Sequence, residues 1–149
     1  MAEQQMVVFG LGKEEYGVEI TQVQEIVRLQ EITKIPNTPE FVEGVVNLRG
    51  KVIPLIDMKK RFALLQTERT GDNRIIVINV KENTIGVIVD YVSEVLRISD
   101  DRIEPPPAVV KSIGKEYLKG IGKINDRLLI LLDLDKILSS SEQEMLKEI

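Results

Sequence analysis

The sequence contains no histidine, no cysteine and no tryptophan, and only three phenylalanines and three tyrosines. Without histidine it lacks the usual general base and the commonest metal ligand near neutral pH. Without cysteine it has neither a disulfide framework nor a thiolate metal site, which fits a reducing compartment. The scattered aromatics make no stacking platform for single-stranded nucleic acid. Apolar runs stop at about six residues, far short of the roughly 20 that span a bilayer. The start, MAEQQM, is polar and lacks the basic-then-apolar order of a signal peptide, so a cytoplasmic location is expected. Basic residues number 20 against 24 acidic ones, a net charge of −4, and no basic footprint for a phosphate backbone is present. Nucleic acid is therefore not an expected partner. Gly10-Leu11-Gly12 does not continue as a phosphate-binding fingerprint, because the next glycine is Gly17 and no Gly-Lys-Ser/Thr follows. Asp133-Leu134-Asp135 lacks the spacing of a calcium loop. The chain reads as non-enzymatic, with no cofactor and no metal.

What is present is repetition. Tyr16–Leu29, YGVEITQVQEIVRL, aligns with Ile85–Ile98, IGVIVDYVSEVLRI, at an offset of 69 residues. Gly17/Gly86, Val18/Val87, Val23/Val92, Glu25/Glu94 and Arg28/Arg97 are identical. Ile20/Val89, Ile26/Val95, Val27/Leu96 and Leu29/Ile98 are apolar in both. A second block, Phe41–Phe62, aligns with Tyr117–Leu138 at an offset of 76, keeping Gly44/Gly120, Asp57/Asp133 and Lys60/Lys136. The offset grows because the second connecting loop is longer and carries EPPP, Glu104–Pro107. The chain is thus read as a duplicated unit. A first subdomain covers 1–66, a join covers 67–73, and a second subdomain with a C-terminal helix covers 74–149.

Each unit predicts the same order of elements. Two short strands flank a polar turn, MVVFGLGKEEYGVEI in the first copy and RIIVINVKENTIGVIV in the second. A short helix is expected next, capped by Thr21 with Gln24 three on, and by Asp90 in the second copy. Two more strands and a closing helix after Asp57 or Asp133 complete the unit, and Ser141 with Glu144 predicts a capped C-terminal helix. Strands this short, with one crossing helix, predict a mainly β fold of two small barrels or a pseudo-twofold sandwich.

The duplication separates what the fold needs from what function adds. Shared Gly17, Gly86, Gly44 and Gly120 read as places where a strand bends or another chain comes close. Glu25/Glu94 and Arg28/Arg97, three apart on the expected helix, read as solvated pairs. The copies part at one turn, where NLRGK in the first faces KINDR in the second. Gly50 suits a tight turn, and Arg49 adds a guanidinium with five fixed donors. A merely solubilising arginine is the competing reading. Ile20, Val23 and Ile26 recur every three residues and make one apolar stripe, suited either to burial in its own barrel or to a partner helix in a cleft between the halves.

The segments EEYGVEITQVQEIVR, IPNTPEFVEGVVNLRGKVIPLID and YLKGIGKINDRLLILLDLDKIL closely resemble the CheW family of bacterial chemotaxis coupling proteins, from about Val7 to Leu138. The resemblance implies two intertwined five-stranded SH3-like barrels and no catalysis. It implies a bridge between the cytoplasmic tips of chemoreceptors and the regulatory domain of the histidine kinase CheA, by a protein that is monomeric in isolation and not inserted in the membrane. Carried over, the receptor groove would include Val7, Ile20, Val23, Glu25, Ile26 and Arg49, and the kinase side would lie on the second barrel around Arg74 and Ile75. The same fold occurs within larger kinases and CheV-type proteins. The chain stops at Ile149 with no receiver or kinase domain, so the stand-alone adaptor is the expectation. A small-molecule ligand in the cleft is the third reading, separable by a thermal-shift screen.

Overall fold

The computed structural model describes residues 2–62, 64, 68–105 and 117–147. Pro106 and Pro107 of the longer loop, and the 66/67 boundary of the first subdomain, lie outside the described residues. The first copy supplies β1 (Glu3–Leu11), β2 (Glu14–Glu19), β3 (Val23–Arg28), β4 (Val42–Leu48), β5 (Lys51–Asp57) and α1 (Met58–Arg61). The second supplies β6 (Arg74–Val80), β7 (Asn83–Val89), β8 (Tyr91–Ser99), the two-residue β9 (Ile103–Glu104), β10 (Leu118–Ile124), β11 (Arg127–Leu132) and α2 (Ser140–Lys147).

The two sheets run β3-β6-β7-β5-β4 and β8-β1-β2-β11-β10-β9. Each sheet therefore contains a hairpin from the other copy: β6–β7 sits among strands of the first copy, and β1–β2 among strands of the second. Exchanging equivalent strands turns one order into the other, with β9 as the addition among the described residues. The copies meet antiparallel at β3–β6 and β8–β1, and parallel at β5–β7 and β11–β2, where Leu55 lies opposite Gly86 and Leu131 opposite Gly17, equivalents across the repeat. This is the mainly β pair of subdomains expected from the duplication, intertwined and SH3-like as the family resemblance implies.

Alternation along each strand gives every sheet two apolar faces. One face lines its own barrel, with Ile53, Leu55, Ile75 and Val77 in one and Met6, Val8, Leu129 and Leu131 in the other. The remaining faces pack on each other in a central core that includes Val7, Phe9, Ile76, Ile78, Val87 and Ile137. Parallel contact brings Leu55 so close to Gly86 that a methyl there would lie 2.6 Å from Leu55 Cδ2 and 2.9 Å from Ile75 Cγ2. At Gly17 the nearest atom, Leu131 Cδ2, is 3.1 Å away. Gly86→Ala is expected to destabilise by about 1–3 kcal/mol through overpacking, and Gly17→Ala by less. Urea midpoints at unchanged slope check the order. Gly44 and Gly120 both stand at a register shift, and Gly44 has φ +145°. A Cβ at Gly44 would meet the Thr33 carbonyl oxygen at 2.2 Å, and one at Gly120 the Glu104 carbonyl oxygen at 2.8 Å.

The expected helices after Thr21 and Asp90 are strands β3 and β8. Gln24 does not close a cap; its side-chain amide donates to Asn79 Oδ1 at 2.7 Å. Both strands lie at sheet edges and both carry a one-residue irregularity, between Val23 and Glu25 and between Val92 and Glu94. The extra residue shifts the alternation, so Val23 and Ile26, opposite Ile78 and Ile76, share a face despite being three apart. A bulged strand thus imitates helical spacing. On such a strand Glu25 and Arg28 do not pair with each other. After Asp57 comes one turn of helix, its carboxylate accepting from Lys59 N (2.9 Å) and Lys60 N (3.2 Å). After Asp133 there is only a 3-10 turn, Leu134–Lys136. The helix α2 is capped two residues earlier than expected: Glu142 N donates to Ser139 Oγ (3.2 Å), and Ser139 N donates to Glu142 Oε1 (2.8 Å).

Candidate partner-docking site

Edge strand β3 and the β4–β5 turn build the site. Ile20, in a 3-10 turn spanning Ile20–Gln22, and Val23 pack half-buried on the central core. Ile26 continues the same face and is 39% exposed. Glu25 points the other way, opposite Val77 of the barrel interior. Its carboxylate meets the Arg49 guanidinium, whose side chain is 72% exposed.

Arg49 and Gly50 form a two-residue turn between the paired Leu48 and Lys51, with φ of 51° and 85°. Positive φ at both central residues is the requirement of a type I′ hairpin turn, normally met by Asn-Gly. Asn47 Oδ1 accepts from Gly50 N at 2.9 Å and steadies it. The second copy places Asn125 at the corresponding φ of 54°. An arginine there costs about 1 kcal/mol of left-handed strain, and an exposed ion pair returns only about 0–1 kcal/mol. Stability therefore does not select Arg49. Lys81, in the β6–β7 turn, has φ 56° as well, so strain alone does not mark the site. What distinguishes Arg49 from Lys81 is its contact with Glu25 beside the apolar rim.

Two expected members of the receptor and kinase sets are buried. Val7 is 1% exposed, because β1 lies between β8 and β2 and Val7 faces the central core. Ile75 is fully buried inside the barrel of the five-stranded sheet. Arg74 and Ile75 also belong to that sheet and not to the β8–β11 barrel, because the β6–β7 hairpin crosses over. Arg74 sits at the strand entrance, its Nη1 donating to the carbonyls of Gly71 (2.8 Å) and Asn73 (2.9 Å).

The arginine that the second copy lacks at its turn tip appears two residues on. Arg127 Nη2 lies 2.9 Å from Glu15 Oε1 and 3.0 Å from Glu94 Oε2. Glu25 and Glu94 are thus each met by an arginine from their own barrel's hairpin. Aligning residue types hid this, because Arg127 occupies the position of Lys51. Beside it, Ile121, Leu128 and Ile130 floor an open groove of about 440 Å³ edged by Lys13 and Glu14. Leu128 is 61% exposed and its equivalent Val52 is 62% exposed. No cluster of three or more potential metal ligands occurs among the described residues. Burial, then Glu14, raises the Tyr16 pKa, and hydrogen bonds to Glu15 and Glu94 raise that of Arg127. Both groups move away from neutrality, opposite to the needs of a general base.

Twin barrels with an exposed apolar rim beside a charged turn present the surface chemistry that suits docking of another protein. Residues 5–142 match the family model described as CheW-like domain. The chain is 40% identical over 146 residues to a chemotaxis protein CheW of Klebsiella aerogenes, covering 98% of this chain and 88% of that one. It is 39% identical to a chemotaxis protein CheW of Treponema pallidum, covering 95% and 86%. Among solved structures, scaffolding protein TtCheW from Thermoanaerobacter tengcongensis superposes with a TM-score of 0.86 at 42% identity, covering 95% of this chain and 92% of that one. The chain belongs to the CheW-like family.

Proposed function

We propose that the protein is a non-catalytic chemotaxis adaptor, which couples the cytoplasmic tips of chemoreceptors to the histidine kinase CheA and scaffolds the signalling array. Membership of the CheW-like family and the likeness to a scaffolding protein support this reading. No helix among the described residues is long and apolar enough to cross a membrane. The protein would work in the cytoplasm, recruited to receptor arrays, and be monomeric when alone.

The observation that carries the receptor assignment is the rim of Ile20, Val23 and Ile26 backed by the Glu25–Arg49 pair. An amphipathic receptor helix would lay its apolar face on the rim and meet the exposed guanidinium at its edge. The kinase regulatory domain would dock elsewhere, on the β8–β11 barrel, where exposed Leu128 stands beside half-buried Ile121. Arg74, the member of the expected kinase pair that solvent reaches, lies on the other sheet, away from this surface. Weak single contacts suffice in an array, since linked sites multiply affinity.

Mixing the protein with receptor tips and CheA is expected to raise kinase activity and to yield a three-component complex. Absence of both would refute the adaptor reading. In a tip pull-down, Ile26→Asp is expected to cut capture at least tenfold, because it puts a charge in the apolar rim. Unchanged capture would remove Ile26 from the interface.

A further inference from the structure

The strand order makes the chain pass between the sheets twice, and the two passages are equivalents that are built differently. β2 leads to β3 through Ile20–Gln22, and β7 leads to β8 through Asp90 alone. The repeat aligns Thr21 with Asp90.

Asp90 is held from every side. Its N–H donates to the Gly10 carbonyl (3.0 Å), and its own carbonyl accepts from Asn73 Nδ2 (3.1 Å). Its Oδ2 accepts from Gly12 N (2.8 Å) and lies 2.8 Å from Lys59 Nζ. Lys59 and Asn73 are themselves buried, at 5% and 6% exposure. These partners come from the β1–β2 turn of one sheet, and from α1 and the entrance of β6 on the other. The locked passage thus ties both sheets together. At the first passage, Gln22 Nε2 donates to Asp135 Oδ1 in an exposed bond 3.3 Å long, and Glu19, which opens the turn, pairs with Lys119 of its own sheet. Thr21 stands where the second passage has Asp90, and Asp135 occupies the place of Lys59, so the carboxylate and the ammonium that would reproduce the lock are absent there.

We infer that Ile20–Gln22 is a compliant joint and Asp90 a locked one, so that shifts between the two sheets are taken up at the first passage. The central apolar core holds the sheets face to face and limits the movement to a small shear. Ile20, the first residue of the joint, and Val23, which follows it, also form the docking rim. A partner helix seated there would bear directly on the joint. That last step rests on the adaptor reading; the unequal joints do not.

Amide exchange in the unsubstituted protein, without partner, tests the joints directly. The amides of Gly12 and Asp90 are expected to exchange at least 100-fold more slowly than those of Thr21 to Val23. Equal protection at the two passages would overturn the inference. The lack of cysteine allows spin labels on Val52→Cys and Leu128→Cys, exposed equivalents on the two sheets. Lys59→Met is expected to broaden the distance distribution about twofold, and Gln22→Ala to leave it unchanged. Broadening by Gln22→Ala as large as by Lys59→Met, or by neither, would overturn it. Should Lys59→Met fail to fold, Asp90→Asn, which keeps an acceptor for the Gly12 amide, carries the same expectation. No partner is present in these measurements, so a failure of receptor coupling does not bear on them.

Discussion

Arg49→Glu is expected to weaken capture by receptor tips at least tenfold while the thermal midpoint moves by only a few degrees. The substitution places a second carboxylate against Glu25 at the edge of the rim and removes the guanidinium offered to a partner. The stability change is small because the arginine is exposed and sits on a turn it does not suit. Arg49→Asn separates the two effects. It supplies the residue a type I′ turn prefers and is expected to stabilise the fold by about 0.5–1 kcal/mol, yet it still weakens capture. Stabilisation with undiminished capture would make Arg49 a surface residue without a docking role. Such a trade between stability and function is the physical signature of a residue kept for its partner.

Asp90→Ala is expected to have the largest effect on the fold, about 3 kcal/mol. It removes the ion pair between Asp90 and the buried Lys59 ammonium and takes the side-chain acceptor from the Gly12 amide. For a chain of this length such a loss lowers the melting temperature by about 10 °C. Urea unfolding of Asp90→Ala beside Thr21→Ala checks it. Thr21, at the equivalent position, is expected to cost under about 1 kcal/mol. Equal losses would mean that the two passages are alike.

The repeat was enough to reveal the fold class, because identical residues at constant offsets report the same environment twice. Gly44/Gly120 and Gly17/Gly86 stand at matching close approaches. What the repeat did not reveal is that the hairpins change places. Pairing partners are set by which apolar faces meet in three dimensions, and β1 and β6 are equally apolar wherever they pack. Hence Arg74 and Ile75, placed by chain order on the second barrel, belong to the other sheet. The helix expected after Thr21 failed for a local reason, since one extra residue at Gln24 brings Val23 and Ile26 to one face. The stripe was legible even though the element was not. Val7 looked like Ile26 in type, and only the strand order shows that β1 is interior and β3 is an edge. The Arg127 contacts with Glu15 and Glu94 span 112 and 33 residues of chain, beyond the reach of any local pattern.

The most direct test of the docking rim is a titration of an unlabelled receptor signalling tip into the isotopically labelled protein, followed by backbone amide shifts. The account predicts the largest changes at residues 20–26 and 47–51, lost in Arg49→Glu. Changes concentrated instead at residues 121–130, with 20–26 silent, would contradict it.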